Sequence, residues 1–152
     1  MPKKKKEIEY FQAVGRRKSS TARVRLYLIS EKKDKKITAN AIEIKKGDIF
    51  VNKLGLDKYF PSDAEKNKIM EPLKLTDSLD RFAVSVIVRG GGKNGQLDAV
   101  IHGLSRALCE VDESYRAVLK PEGLLTRDPR IRERRMVGTG GKSRRQKQSP
   151  KR

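Results

Sequence analysis

Alternating apolar and polar residues predict the strands of this chain. The alternation is strict in residues 22–28, which is typical of a strand with one buried face. We expect the buried face to hold Ala22, Val24, Leu26 and Leu28, and the open face Arg23, Arg25 and Tyr27. The same pattern predicts strands over residues 8–14 and 82–89 and a shorter one over residues 47–52. A turn is expected over residues 15–20, between the first two strands.

Helical spacing of apolar residues predicts a long helix that begins near Asn94. Its buried stripe consists of Leu97, Val100, Ile101, Leu104 and Leu108. Ser62 and Asp63 are expected to cap an earlier helix that runs towards Met70, and Pro72 should end or kink it. A helical turn is expected at residues 56–60, and Asp112 is expected to cap a short last helix.

Two basic segments and a lysine-rich loop interrupt this regular pattern. Residues 1–7 are predicted to form a basic arm, and residues 8–126 a single globular domain. Residues 30–46 inside that domain resemble a surface loop or an extended hairpin. Residues 127–152 hold eleven Lys or Arg, two acids and few apolar side chains. We expect an extended tail that becomes ordered against RNA, because it has too little apolar surface to offset the entropy of ordering.

The charge of the chain favours a polyanionic partner. Its 152 residues include 37 Lys or Arg and 19 acids, a net charge of +18. Nucleic acid is the commonest partner for such a surface. A membrane is disfavoured, because the sequence shows neither an apolar span nor a basic amphipathic helix with bulky apolar anchors.

Single cysteine and histidine residues argue against several kinds of chemistry. Cys109 and His102 are each the only residue of their type, so disulfides, zinc ribbons and multi-histidine metal sites are not expected. We expect no cofactor, no small-molecule substrate and no enzymatic activity. His102 is expected at the surface or facing RNA, and Cys109 at the edge of the core. The basic N-terminus lacks an apolar core, which argues against a secretory signal, and Glu7 and Glu9 argue against an organellar transit peptide, so the cytoplasm is favoured.

A glycine-rich segment at residues 90–95 matches the spacing of a dinucleotide-binding loop. The context disfavours that function, because no second parallel strand is predicted after the following helix. The segment also lacks the Ser or Thr that follows the lysine of a Walker loop. Two interpretations stay open: an RNA phosphate at the helix N-terminus, or a plain strand-to-helix turn.

Cations gather on the predicted turn, on one strand face and along the tail. For any one of these cations, the alternative to RNA binding is a place on a solvated charged surface. Aromatic residues are few, with four Tyr, four Phe and no Trp, so phosphate and shape recognition is favoured over base stacking. The candidate RNA-binding residues are Arg16, Arg17, Lys18, Arg23, Arg25, Lys93, His102, Arg106, Arg127, Arg130, Arg132, Arg134, Arg135, Lys142, Arg144, Arg145 and Lys147.

Several motifs in the same order resemble the family of bacterial small-subunit ribosomal protein nine. The matching residues are Gly15-Arg16-Arg17-Lys18, Ala22-Arg23-Val24, Gly90-Gly91-Gly92, Gly95-Gln96, Ala99-Val100, His102-Gly103, Arg106-Ala107-Leu108, Gly123-Leu124-Leu125-Thr126-Arg127-Asp128 and Lys151-Arg152. The resemblance implies an α+β domain with a split β-α-β crossover, like domain two of ribosomal protein S five, followed by an extended basic tail.

The resemblance also implies partners. They are the 16S-type RNA of the small-subunit head, neighbouring head proteins, and the peptidyl-site tRNA. Lys151 and Arg152 would approach the anticodon stem-loop of that tRNA. Three features depart from the family: the long loop at residues 30–46, Ile101 where arginine is common, and Ser149-Pro150 before the last two residues.

Two other functions stay open at this point: a nucleotide-dependent enzyme built on the glycine loop, and a free-standing nucleic-acid-binding protein.

Overall fold

The computed structural model describes residues 10–28, 37–39 and 42–141. Within this part, the chain forms a five-stranded sheet, a two-stranded hairpin and four helices. The strands are β1 (Tyr10–Arg17), β2 (Ser20–Leu28), β3 (Ile37–Ala39), β4 (Ile42–Ile44), β5 (Ile49–Val51), β6 (Leu54–Gly55) and β7 (Phe82–Arg89). The helices are α1 (Leu56–Tyr59), α2 (Asp63–Leu75), α3 (Lys93–Val111) and α4 (Tyr115–Leu119). A mixed sheet packed against helices makes this an α+β domain, as expected.

The first two long strands form a tight hairpin. β1 and β2 pair antiparallel over their length, and Lys18 and Ser19 alone connect them. Lys18 adopts a left-handed backbone conformation, with φ 51°. The predicted turn over residues 15–20 is therefore wrong in its extent, because Arg16 and Arg17 belong to β1. Since side chains alternate along a strand, these two neighbours lie on opposite faces of the sheet.

The sheet has the strand order β1-β2-β7-β5-β6. β7 pairs antiparallel with β2 on one side and parallel with β5 on the other. Parallel neighbours need a crossover connection, and α1 and α2 provide it between β5 and β7. β7 is the middle strand, and residues 82–86 are buried although they alternate between the two faces.

Helix α3 covers one face of the sheet, mainly over β1 and β2. The predicted stripe is confirmed, because Leu97, Val100, Leu104 and Leu108 are buried and Ile101 is partly buried against the same core. Val24 of β2 is fully buried beneath this helix. Cys109 also lies at the edge of this core, as predicted.

Two glycines bring α3 into backbone contact with β1. A Cβ atom on Gly15 would overlap the carbonyl oxygen of Ala99 and the backbone of Gly103. A Cβ atom on Gly103 would lie 2.9 Å from Cγ2 of Val24 and 3.0 Å from the nitrogen of Gly15. The absence of both side chains therefore sets the distance between helix and strand.

The opposite face of the sheet has a small core of its own at one end. Tyr27, Ile44 and Ala83 are buried there, and Phe50 packs against them. The prediction is wrong at this end of β2, where Tyr27 is 4% exposed and Leu28 is 46% exposed. The chain around β4 covers Tyr27, whereas Leu28 is the last residue of its strand. β3 and β4 form a hairpin within the lysine-rich segment at residues 30–46.

Helix α2 extends beyond its expected end. It runs through Pro72 to Leu75, so the expectation that Pro72 ends it is wrong. Thr76 closes the last turn by donating from its hydroxyl to the Pro72 carbonyl at 3.0 Å. Ser62 occupies the N-cap position, but its side chain makes no capping hydrogen bond. Its carbonyl instead accepts from the backbone of Glu65 and Lys66.

Candidate nucleic-acid interface

Basic side chains gather on the face of the sheet that α3 does not cover. Gly15 of β1 faces the helix, so Arg16 beside it faces the other way. The pairing of β1 with β2 adds Arg23 and Arg25 to the same face, and the pairing of β2 with β7 adds Arg89. We call Arg16, Arg23, Arg25 and Arg89 the open-face cluster.

Three members of the open-face cluster are exposed, and one is held by its neighbours. The Arg25 guanidinium lies 4.7 Å from the centre of the Tyr10 ring, and its Nε donates to Gln12 Oε1 at 2.8 Å. Arg16, Arg23 and Arg89 are exposed, and no carboxylate of the described residues forms an ion pair with them. Like charges on one surface repel each other, so this face suits a polyanion.

Arg17 lies on the α3 side and is bound within the protein. Its Nε is 3.4 Å from Oδ2 of Asp98 on α3. One terminal nitrogen donates to the Arg130 carbonyl at 2.6 Å, and the other lies 3.0 Å from Oδ2 of Asp128. The Arg17 side chain is 14% exposed. This candidate RNA-binding residue therefore contacts the first residues of the tail.

His102 and Arg106 cap the free edge of the sheet. Among the described strands, β1 lies at the edge of the sheet, so some of its backbone groups have no partner among these strands. The Arg16 backbone N–H donates to Nδ1 of His102 at 3.3 Å, and Arg106 donates to the Val14 carbonyl at 2.6 Å. The two side chains are one helical turn apart on α3, so they reach alternate residues of the strand. The structure thus supplies both candidates with partners inside the chain.

The bond to His102 requires a neutral ring, because Nδ1 must accept. Burial lowers the pKa of His102 below its usual value, and the nearby charges of Arg106 and Arg127 lower it further. A hydrogen bond with the Leu125 backbone opposes this shift in the pKa. His102 therefore accepts the hydrogen bond from β1 in its uncharged form.

The glycine-rich segment packs against the β1–β2 turn. The Ser20 hydroxyl is buried and donates to the Gly90 carbonyl at 3.2 Å. A Cβ atom on Gly91, whose φ is +65°, would overlap this hydroxyl oxygen, and one on Gly95 would lie 2.9 Å from it. Close packing in a strand-to-helix turn thus accounts for these glycines, and it supports the second of the two interpretations.

The remaining candidates lie on the turn, on α3 and along the tail. Exposed candidates in the described part are Lys18, Lys93, Arg127, Arg130, Arg132 and Arg134, and Arg135 is partly buried. Arg130 is engaged locally, because it forms a fork with Asp128 at 2.7–3.1 Å. Outside the described residues lie Lys142, Arg144, Arg145, Lys147, Lys151 and Arg152.

Arg89 is the member of the open-face cluster that sequence reasoning missed as a site residue. Alternation along residues 82–89 assigned it to one face of its strand, but the neighbour of that strand was unknown. The antiparallel register places Arg89 opposite Thr21, beside the arginines of β2. The alternation therefore indicated the face of the strand on which Arg89 lies, but not which strand is its neighbour.

Two negative findings concern the described residues alone. None of the helices there combines the length and the apolar character needed to span a bilayer. The same residues contain no group of three or more His, Cys, Asp or Glu side chains placed to hold a metal ion.

Comparison with known proteins assigns the chain to a family. The family model described as Ribosomal protein S9/S16 matches residues 15–152. The protein named small ribosomal subunit protein uS9 of Amoebophilus asiaticus is 44% identical over 131 residues, covering 86% of this chain and 90% of the relative. The uS9 proteins of Chlorobium phaeobacteroides and Chlorobium limicola are 42% and 41% identical over 130 residues, each covering 86% of this chain and 88% of the relative. The chain belongs to the S9 family of small-subunit ribosomal proteins, whose members are structural proteins and not enzymes.

Proposed function

We propose that this chain binds the ribosomal RNA of the small-subunit head through the open-face cluster and its cationic tail. Membership of the S9 family makes it a structural constituent of the small ribosomal subunit, with no catalytic role. Its place is in the cytoplasm within the ribosome. Its partners are the 16S-type RNA and neighbouring head proteins.

One observation carries the RNA-binding proposal. Three neighbouring strands present four arginines on the sheet face that no helix of the described part covers, and three of these arginines are exposed. Arginine binds phosphate through two parallel N–H bonds, so a row of guanidinium groups suits an RNA backbone. Lys18 at the adjoining turn is also exposed.

The tail is proposed to follow the RNA beyond the domain. Exposed Arg127, Arg132 and Arg134 support this, because they lie on an irregular segment with a strongly positive charge. We divide the chain into a basic arm (residues 1–7), the globular domain (residues 8–126) and the tail (residues 127–152). A fold like domain two of ribosomal protein S five is proposed on the basis of the β5-to-β7 crossover, but a split crossover would have a strand between the two parallel strands, whereas β5 and β7 are direct neighbours.

The end of the tail is proposed to contact the peptidyl-site tRNA. Lys151 and Arg152 are the residues that the family resemblance indicates, and they carry two cations at the C-terminus. Contacts to phosphate oxygens would carry no base sequence, so every tRNA should be affected alike.

The RNA-binding proposal is tested with full-length protein and an RNA fragment of the small-subunit head. Affinity is measured over a range of salt concentrations. The logarithm of the affinity should fall steeply with the logarithm of the salt concentration, by about 0.7 to 0.9 for each phosphate neutralised. A flat salt response would contradict the proposal.

Sedimentation tests the assembly part of the proposal. The protein should stay with small subunits through a high-salt gradient, because a structural constituent is held by many simultaneous contacts. A free-standing nucleic-acid-binding protein would wash off under the same conditions.

The tRNA contact needs a separate experiment. Small subunits carrying either full-length protein or protein lacking Lys151 and Arg152 are programmed with message, and the dissociation of several tRNAs is followed. We expect modestly faster dissociation for every tRNA after the deletion. Unchanged dissociation would remove the tail tip from the mechanism, and a change for one tRNA alone would indicate base recognition.

A further inference from the structure

The tail leaves the domain beside a network of ion pairs centred on Arg17. Three different nitrogens of its guanidinium point at Asp98, at the Arg130 carbonyl and at Asp128. The partners come from two parts of the chain, since Asp98 lies on α3 and the other two lie in the tail. Arg17 therefore joins β1, α3 and the tail entry at one point.

Asp128 is an unusual residue for the basic segment in which it lies. Residues 127–141 hold five arginines, and Asp128 is one of two acids among them. A carboxylate is repelled by RNA phosphate, so it weakens a segment whose task is to bind RNA. Its hydrogen bonds with Arg130, and to a smaller extent the charge of Arg17, favour the charged form and hold the pKa of Asp128 far below its usual value. The partners of Asp128 therefore lie within the protein and not in the RNA.

Arg17 and its neighbour Arg16 also differ in how accessible their guanidinium groups are to a phosphate. Arg17 is 14% exposed in its side chain and has donors committed in three directions. Arg16 is exposed, and its backbone nitrogen rather than its side chain makes the bond to His102. A phosphate can reach the Arg16 guanidinium without breaking a contact of the folded protein, whereas at Arg17 it would have to displace two carboxylates.

We propose that Arg17 is a positioning residue that fixes the direction in which the tail leaves the domain, and that it does not bind RNA itself. The geometry defines the start of this path, because Arg17 contacts the Asp128 carboxylate and the Arg130 carbonyl. A fixed exit lowers the entropy lost when the tail meets its partner, because fewer orientations remain to be excluded. The part of this proposal that concerns RNA rests on the function proposed above.

The first test measures the position of the tail in the free, full-length protein. Spin labels are attached at Val137→Cys in the tail and Glu110→Cys on α3, in a Cys109→Ala background. Both labelled sites are exposed. The distance distribution should be narrow with Arg17 present and broad in Arg17→Met. Arg17→Lys should restore part of the narrow peak, because an ammonium group can hold one carboxylate but not all three partners.

Two further variants keep this test decisive. Arg16→Met removes a neighbouring cation from the other face of the sheet, and it should leave the distribution narrow. Asp128→Asn removes the same ion pair from the tail side, and it should broaden the distribution even if Arg17→Met fails to fold. A narrow distribution in both Arg17→Met and Asp128→Asn would overturn the proposal.

The second test separates a positioning residue from a phosphate ligand. Affinity for an RNA fragment of the subunit head is measured against salt for wild type, Arg16→Met and Arg17→Met. Arg16→Met should reduce the slope by about 0.7 to 0.9, the amount expected for one lost phosphate contact. Arg17→Met should lower the affinity with an unchanged slope. An equal loss of slope in both variants would identify Arg17 as a phosphate ligand.

The two tests fail independently of each other. If the wild-type protein shows no salt-dependent binding, the proposed RNA-binding function fails, while the distance distributions still decide whether Arg17 holds the tail. If binding is strongly salt-dependent but the distributions never broaden, the function stands and the positioning role is wrong.

Discussion

The two faces of the sheet use the same strands in opposite ways. On the α3 face, side chains are absent or apolar, and Gly15 and Gly103 let the helix backbone contact the strand backbone. On the other face, Arg16 and Arg23 project from the same two strands and find no carboxylate among the described residues. The strict alternation of a strand makes this division possible within one pair of strands.

The difference shows why stability and binding are separable in this domain. Packing of apolar side chains against the helix stabilises the fold, because it removes apolar surface from water. Exposed arginines that lie close together repel each other and add little stability until a polyanion neutralises them. Substitutions on the α3 face should therefore change the free energy of unfolding, and substitutions on the other face should change the binding of RNA.

The largest effect is expected on the covered face. Leu104 is 1% exposed in the core, so Leu104→Ala should lower the free energy of unfolding by about 2 to 5 kcal/mol. Denaturant unfolding monitored by circular dichroism measures it. The matched control is Leu54→Ala in β6, where the side chain is 47% exposed, and it should cost much less. Equal losses in both variants would mean that α3 is not the main source of core packing.

The open face should show the reverse behaviour. The triple variant Arg16→Met, Arg23→Met and Arg89→Met should unfold at nearly the same denaturant concentration as wild type, because these side chains are exposed. Its salt slope for binding an RNA fragment should be smaller by about 2 to 3, corresponding to three lost phosphate contacts. The control is Lys58→Met with Lys74→Met, exposed cations on α1 and α2, which should retain most of the slope.

A smaller effect is expected from the histidine at the sheet edge. The pKa of His102 is lowered in the folded protein, so the unfolded chain takes up the proton first as the pH falls. This contribution to stability is present above the ordinary histidine pKa of about 6.5 and is lost as the pH falls through it. The free energy of unfolding should therefore decrease between about pH 7 and pH 5.

The control for this pH effect is His102→Gln, which can still accept from the Arg16 N–H but does not titrate. Its stability should change less over the same pH range. Asp112 and Asp128 do not contribute to this pH dependence. Their pKa values are lowered, so both carboxylates stay charged over the same pH range. An identical pH dependence in wild type and His102→Gln would show that His102 is not responsible.

Local patterns predicted the elements of this fold better than they predicted the partners of its charged residues. The stripe from Leu97 to Leu108 and the alternation from Ala22 to Leu26 are properties of neighbouring residues, and both were correct. Tyr27 was assigned to the open face but is buried, because Ile44 from another segment packs there. Pattern reasoning on one strand contains no information about the chain that covers its end.

The roles of Arg17 and His102 could not be predicted for the same reason. Arg17 bonds Asp98 at 81 residues' separation, and His102 accepts from Arg16 at 86 residues' separation. The predicted turn therefore groups Arg16 with Arg17 as RNA-binding candidates, although β1 places them on opposite faces. The pairing of strands and the position of α3 decide which cation faces outwards.

The smallest effect on stability is expected from removing the tail. Truncation after Thr126 deletes the ion pair of Arg17 with Asp128 and the hydrogen bond from Arg17 to the Arg130 carbonyl, and on the tail side Asp128 is partly exposed and Arg130 is exposed. It leaves Leu124 and Leu125, which pack against the core. It also removes half of the net charge of +18, which reduces the repulsion within the folded domain. These opposing changes should leave the melting temperature close to that of the full chain. The matched control is truncation after Gly123, which also removes the two leucines and should lower the melting temperature clearly. If truncation after Thr126 alone prevents folding, the residues beyond it form part of the domain, and the boundary between domain and tail must be moved towards the C-terminus.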